Sequence, residues 1–133
     1  MLVPAIHFPG TCQQAINRYK EALNAQVINI AYERDAPSDS NMHANGTPDH
    51  VMHAELIIAG TRLNMCDVND DVTNGNMHLY NIFMDSIDEV RTAYEQLTVG
   101  GKIHKKIGPQ FWTSMYCDIE DAYGVRWQIM TKE

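Results

Sequence analysis

His53 and Glu55 stand two positions apart in the run Val51-Met-His-Ala-Glu-Leu-Ile57. That run reads as a strand, so both side chains leave one face while Met52, Ala54 and Leu56 leave the other. An imidazole beside a carboxylate can hold a proton poised near neutral pH, which is what general acid/base chemistry needs. The same pair equally fits a satisfied or partly exposed couple on a sheet face. Trp112, Tyr116 and Trp127 read most simply as core aromatics, and alternatively as walls of an apolar ligand pocket. Cys12, Cys66 and Cys117 are odd in number and lack CxxC spacing, so they predict reduced, mostly buried thiols in a cytoplasmic protein rather than disulfides. A catalytic thiol is the sharper alternative. His43, His50 and His104 read as loop or surface residues. Phosphate-cradling glycine loops, a Ser/His/Asp arrangement and dinucleotide fingerprints are all absent from the sequence.

The elements that must position these groups come from a chain of 133 residues, enough for one domain with its own core. Hydrophobic residues make up 44% and charged residues 20%, an ordinary globular balance. A formal net charge of −7 disfavours nucleic acid and anionic lipid. Lys102, Lys105 and Lys106 form the nearest thing to a basic cluster, and they read as the solvated face of a strand. The start, Met1 to Gly10, has no basic leader and is interrupted by Pro4 and His7, so no signal peptide is expected. No stretch approaches the about 20 apolar residues that a spanning helix requires.

Two stretches share one grammar. The first runs Ile6 to Phe8, then Pro9-Gly10, then Thr11 and a helix in which Cys12, Ala15, Ile16, Tyr19 and Leu23 share a face. The second runs His78 to Phe83, then a helix after Ser86 through Val90, Tyr94 and Leu97, stopped by Gly100-Gly101. Laid over one another, Phe8 falls on Phe83, Thr11 on Ser86, Gln14 on Glu89 and Tyr19 on Tyr94. Thr11 with Gln14, and Ser86 with Glu89, predict capping boxes. Each helix is followed by three short β-branched or aromatic runs bounded by Gly, Pro and Asp: 27–32, 51–58 and 62–66, then 102–107, 113–119 and 125–130. Each half is therefore β-α-β-β-β. The polar stretch from Asp35 to Asp49 reads as a long loop.

The expected fold is α+β: two βαβββ modules, about 1–68 and about 76–133, in a single domain of residues 1–133. They should form a curved, cup-shaped mixed or antiparallel sheet with the helices outside. Alternation would send every second strand residue into the cup, where polar side chains need a partner or a ligand.

The residues at this point resemble the vicinal-oxygen-chelate superfamily, which holds glyoxalases, bleomycin-resistance proteins and extradiol dioxygenases. Within it they are most similar to the PhnB-like branch, often labelled 3-demethylubiquinone-9 3-methyltransferase-like. The motifs that carry the resemblance are Gly10 to Ala15 with Tyr19-Lys-Glu21, Met52-His-Ala-Glu-Leu56 with Gly60, Gly100-Gly-Lys102, Phe111-Trp112, and Asp121 to Trp127. They cover almost the whole chain, and they specify a fold far better than a reaction.

That resemblance implies a divalent metal held by His and Glu from the first and last strands of the modules. His78, seven residues before Asp85, fits the pattern. Gln128, four residues after Gly124, stands where a Glu is usual, and His7 is the remaining first-strand donor. An amide brings no negative charge, so such a set would hold a metal weakly. The ligand pocket expected on this basis contains His7, His78, Trp112, Tyr116 and Gln128. Two function classes follow. One is a module that binds a small hydrophobic or zwitterionic molecule. The other is a metal-dependent isomerase, lyase or transferase, in which Glu55 or His53 moves protons. The resemblance also implies a homodimer. Methyl transfer has no visible S-adenosylmethionine motif behind it.

Overall fold

The computed structural model describes residues 1–37, 39 and 47–133. Most of the expected 35–49 loop, including Met42 and His43, lies outside them. The elements follow the order anticipated above. The first half contains β1 (Ala5–Phe8), α1 (Cys12–Leu23), β2 (Gln26–Tyr32), β3 (Val51–Ile58) and β4 (Thr61–Asp67). The second contains β5 (Tyr80–Met84), α2 (Ile87–Leu97), β6 (Lys102–Gln110), β7 (Thr113–Glu120) and β8 (Arg126–Thr131). A 3-10 turn, Glu33–Asp35, follows β2. The chain divides into two compact units, Met1–Lys20 with Asn24–Val72, and Glu21–Leu23 with Thr73–Glu133. No helix is long and apolar enough to cross a membrane among the described residues.

Each unit holds a four-stranded mixed sheet, in the order β1-β4-β3-β2 or β5-β8-β7-β6. Only the first strand of each runs parallel to its neighbour: β1 beside β4, and β5 beside β8. The remaining pairs are antiparallel. The fold class is therefore α+β, as expected. One face of the first sheet is buried through Ala54, Leu56, Ile58, Leu63 and Met65. The expected apolar stripe of α1 is buried throughout, at Cys12, Ala15, Ile16, Tyr19 and Leu23. In the second unit α2 packs on β5, β7 and β8 through Val90, Ala93 and Leu97, against a layer containing Cys117, Ile119, Trp127 and Ile129.

Three expectations need correction. The Thr11 capping box does not form, because Thr11 makes no side-chain cap. The free N–H of Cys12 goes instead to Asp67 Oδ1 at 2.9 Å, a partner far away in sequence. At α2 the Ser86 hydroxyl does accept the Glu89 N–H at 3.1 Å, but it also donates to the Glu89 carboxylate, so the reciprocal half of the box is missing. The strand expected from His78 begins only at Tyr80, where pairing with Trp127 starts. His78 thus lies exposed in the segment leading into β5.

Candidate functional site

Strand alternation gives each sheet a second, polar face. On the first unit it carries His53 and Glu55 from β3, Arg62, Asn64 and Cys66 from β4, and His7 from β1. His7 lies beside Cys66 in the parallel ladder, and Glu55 stands opposite Asn64. The sequence-expected couple is made: His53 Nε2 is 3.1 Å from Glu55 Oε1. Arg62, which the sequence reading passed over, joins the same oxygen with Nη2 at 2.9 Å. Its Nε donates to Asn64 Oδ1 at 3.2 Å.

The second unit repeats this grouping in a tighter form. Asp118 on β7 stands opposite Gln128 on β8. Arg126 grips Asp118 with two parallel bonds, Nε to Oδ1 at 2.9 Å and Nη2 to Oδ2 at 2.8 Å, the planar fork that guanidinium and carboxylate share. Gln128 adds its amide N–H to Asp118 Oδ2 at 3.1 Å. Asn81 on β5 faces Gln128 from the other side. Tyr116 is two residues before Asp118 on the same face, and the Trp112 ring meets it edge-on with centroids 5.4 Å apart. His104 Nε2 and Glu120 Oε1, 3.6 Å apart, lie towards β6. An acid on the third strand, an Arg and then an amide two residues on in the fourth, is thus present twice: Glu55, Arg62, Asn64 and Asp118, Arg126, Gln128. The spacing Arg-x-Asn and Arg-x-Gln was the available signal.

Burial pushes the Asp118 carboxyl upward, but bonds from Arg126 and Gln128 and the nearby positive charge outweigh it, leaving Asp118 below its ordinary value. Asp118 in turn raises Arg126. Burial, with Asp118 close by, raises the Tyr116 phenol. A carboxylate depressed in the folded state stabilises the fold fully above the ordinary carboxylate range, and that contribution disappears as pH falls through the folded-state value. Asp118→Asn should therefore cost about 2 kcal/mol near neutral pH. Urea unfolding across a pH series should find the gap to the parent protein closing in acid; a constant gap would contradict the ion-pair account.

Trp127 is buried in the core and Tyr116, on the opposite face, is also largely covered, whereas Trp112 is 45% exposed and Phe111 beside it more so. Trp112 is therefore not a core residue; it caps the end of the β6–β7 hairpin, whose two strands close just beside it at Gln110 and Thr113. His50 lies in the loop before β3, as expected, half-buried with its ring against Gly10. The thiols are poor nucleophiles. Burial raises Cys12 and Cys66, and it pushes Cys117 up to about 12, so all three stay protonated near neutral pH.

Within the second unit the expected donors His78 and Gln128 do not stand opposite one another. His78 lies outside β5, and Asn81, not His78, stands opposite Gln128 in the ladder. Gln128 gives an amide N–H to Asp118, leaving its Oε1 as a neutral donor that brings no negative charge. Among the described residues, no three His, Cys, Asp or Glu side chains group so as to hold an ion.

The repeated β-α-β-β-β units and the family comparison together define the class. The chain belongs to the Glyoxalase/Bleomycin resistance protein/Dioxygenase superfamily, whose model matches residues 5–129. It is similar to Protein YjdN of Escherichia coli, 25% identical over 96% of this chain and 92% of that one. Among solved structures it resembles protein PA1353 of Pseudomonas aeruginosa, with a TM-score of 0.83 and 23% identity over 99% of this chain and 97% of that one. It also resembles the PhnB protein of Bacillus cereus, with a TM-score of 0.80 and 20% identity over 98% of each chain. At those identities the two structures establish the fold alone.

Proposed function

We propose that the protein binds a small molecule without a resident metal, and that Trp112, Tyr116, Arg126 and Gln128 on the second unit contact it. The supporting observation is the Gln128–Asp118–Arg126 arrangement. At the last-strand position where the resemblance implies a Glu, there is an amide, and its N–H is given to Asp118. Arg126 cancels the charge of Asp118 within one bidentate pair. The face therefore offers hydrogen bonds without net charge, which suits a neutral or zwitterionic compound, while Trp112 and Tyr116 supply flat apolar contact.

Binding should quench the exposed Trp112 and leave buried Trp127 as an internal reference. Against a panel of aromatic and zwitterionic compounds, Gln128→Leu should weaken any compound that quenches Trp112 by about tenfold, the loss of one well-made hydrogen bond. Elemental analysis of untagged, metal-supplemented protein supplies the other arm. Stoichiometric Zn, Ni, Mn or Fe would overturn this reading in favour of a metal-dependent isomerase, lyase or transferase. A cytoplasmic setting and a homodimer are part of the proposal, supported respectively by three free thiols and by the resemblance.

A further inference from the structure

On the first unit, one carboxylate oxygen serves two donors. Glu55 Oε1 is 3.1 Å from His53 Nε2 and 2.9 Å from Arg62 Nη2. An Arg carries a permanent charge, and a carboxylate can only accept hydrogen bonds. The imidazole nitrogen facing Glu55 must therefore carry the hydrogen when the ring is neutral. That places N–H on Nε2 and leaves the lone pair of His53 on Nδ1. The His53 side chain is 41% exposed against 22% for Glu55, so the free nitrogen belongs to the more accessible partner. On neighbouring strands Asn29 lies opposite Glu55 and Ala31 opposite His53 on β2, and Asn64 lies opposite Glu55 on β4; Cys66 and the titratable His7 beside it share the same face.

A lone-pair acceptor whose ring is backed by a carboxylate suits a group that gives up a proton, because Glu55 stabilises the imidazolium that forms. We propose that His53 Nδ1 is the proton-accepting position for a small O–H acid with a delocalised conjugate base, a phenol or an enol. Glu55 and Arg62 act as positioning residues. The ligand O–H bond breaks, its proton forms the N–H bond at Nδ1, and the electron pair stays on the ligand oxygen. The resulting phenolate or enolate lies beside the imidazolium, and the proton returns when the ligand leaves. This site is on a different unit from the binding face proposed above and stands or falls separately from it.

The test uses 4-nitrophenol, whose anion is coloured. At a pH below the phenol's own pKa, titration with the intact protein should give saturable nitrophenolate absorbance. His53→Gln should abolish that signal, and Glu55→Gln should weaken the response about tenfold. Long-range 15N NMR of the ligand-free protein should find His53 in a single neutral tautomer protonated at Nε2, turning into a mixture in Glu55→Gln. A tautomer mixture in the parent protein, no nitrophenolate, or an equal signal from His53→Gln would each overturn the proposal.

Discussion

Gly101→Ala should lower stability by about 4 kcal/mol, near the upper end for a single substitution. A methyl group at Gly101 would meet the carbonyl oxygen of Glu120, with the backbone of Asp121 at 3.1 Å behind it. These are main-chain atoms, and Glu120 is paired with Lys102 in the β6–β7 ladder, so no side chain can swing aside to make room. Gly108 is the control. It lies on β6, the strand that Gly101 leads into, with nothing within 4 Å of an added methyl group, and Gly108→Ala should be neutral or slightly stabilising. Thermal unfolding should separate the two variants by roughly 12 °C or more. Equal midpoints would refute the packing account.

Asp67→Ala should be the second costly change, about 3 kcal/mol. Asp67 is buried, and each of its oxygens accepts a main-chain N–H: Oδ1 from Cys12 and Oδ2 from Val51, both at 2.9 Å. Truncation leaves both donors without a partner inside the protein, which is dearer than never having made the bonds. Asp67→Asn should recover little, because its amide nitrogen would point a donor at a donor. Thr11→Ala should cost less than about 0.5 kcal/mol, since the hydroxyl caps nothing. Urea unfolding should rank the three in that order; a Thr11 effect larger than that of Asp67 would reverse the assignment of the cap.

These two residues mark where the sequence stops being readable. Alternation and helical spacing are local signals, and they placed β3, α1 and α2 to within a residue or so. α2 ends at Leu97 with Thr98 still right-handed, and Gly100, at φ +74°, serves the turn that follows rather than the helix stop its position predicted. The apolar side of β3 was legible because Ala54 and Leu56 alternate with His53 and Glu55. Asp67 was not legible as a cap, because its partner in α1 lies 55 residues earlier. Asp118, Arg126 and Gln128 looked like ordinary strand polars until antiparallel register set the acid beside the amide. The His–Glu couple was visible as a spacing, yet its clamp by Arg62 required β4 to lie beside β3. His78 was drawn into a strand by its apolar followers, although the ladder starts only when Trp127 becomes available as a neighbour.

The parallel placement of β1 and β5 has a consequence for how the molecule is made. Ala5 must wait for Asn64, and Tyr80 for Trp127, so the opening ribbon of each unit emerges from the ribosome long before its mate. Such distant contacts raise contact order and slow folding. A nascent chain halted before Arg126 would expose unsatisfied edges on both β5 and β7, an invitation to aggregate rather than a smaller stable protein.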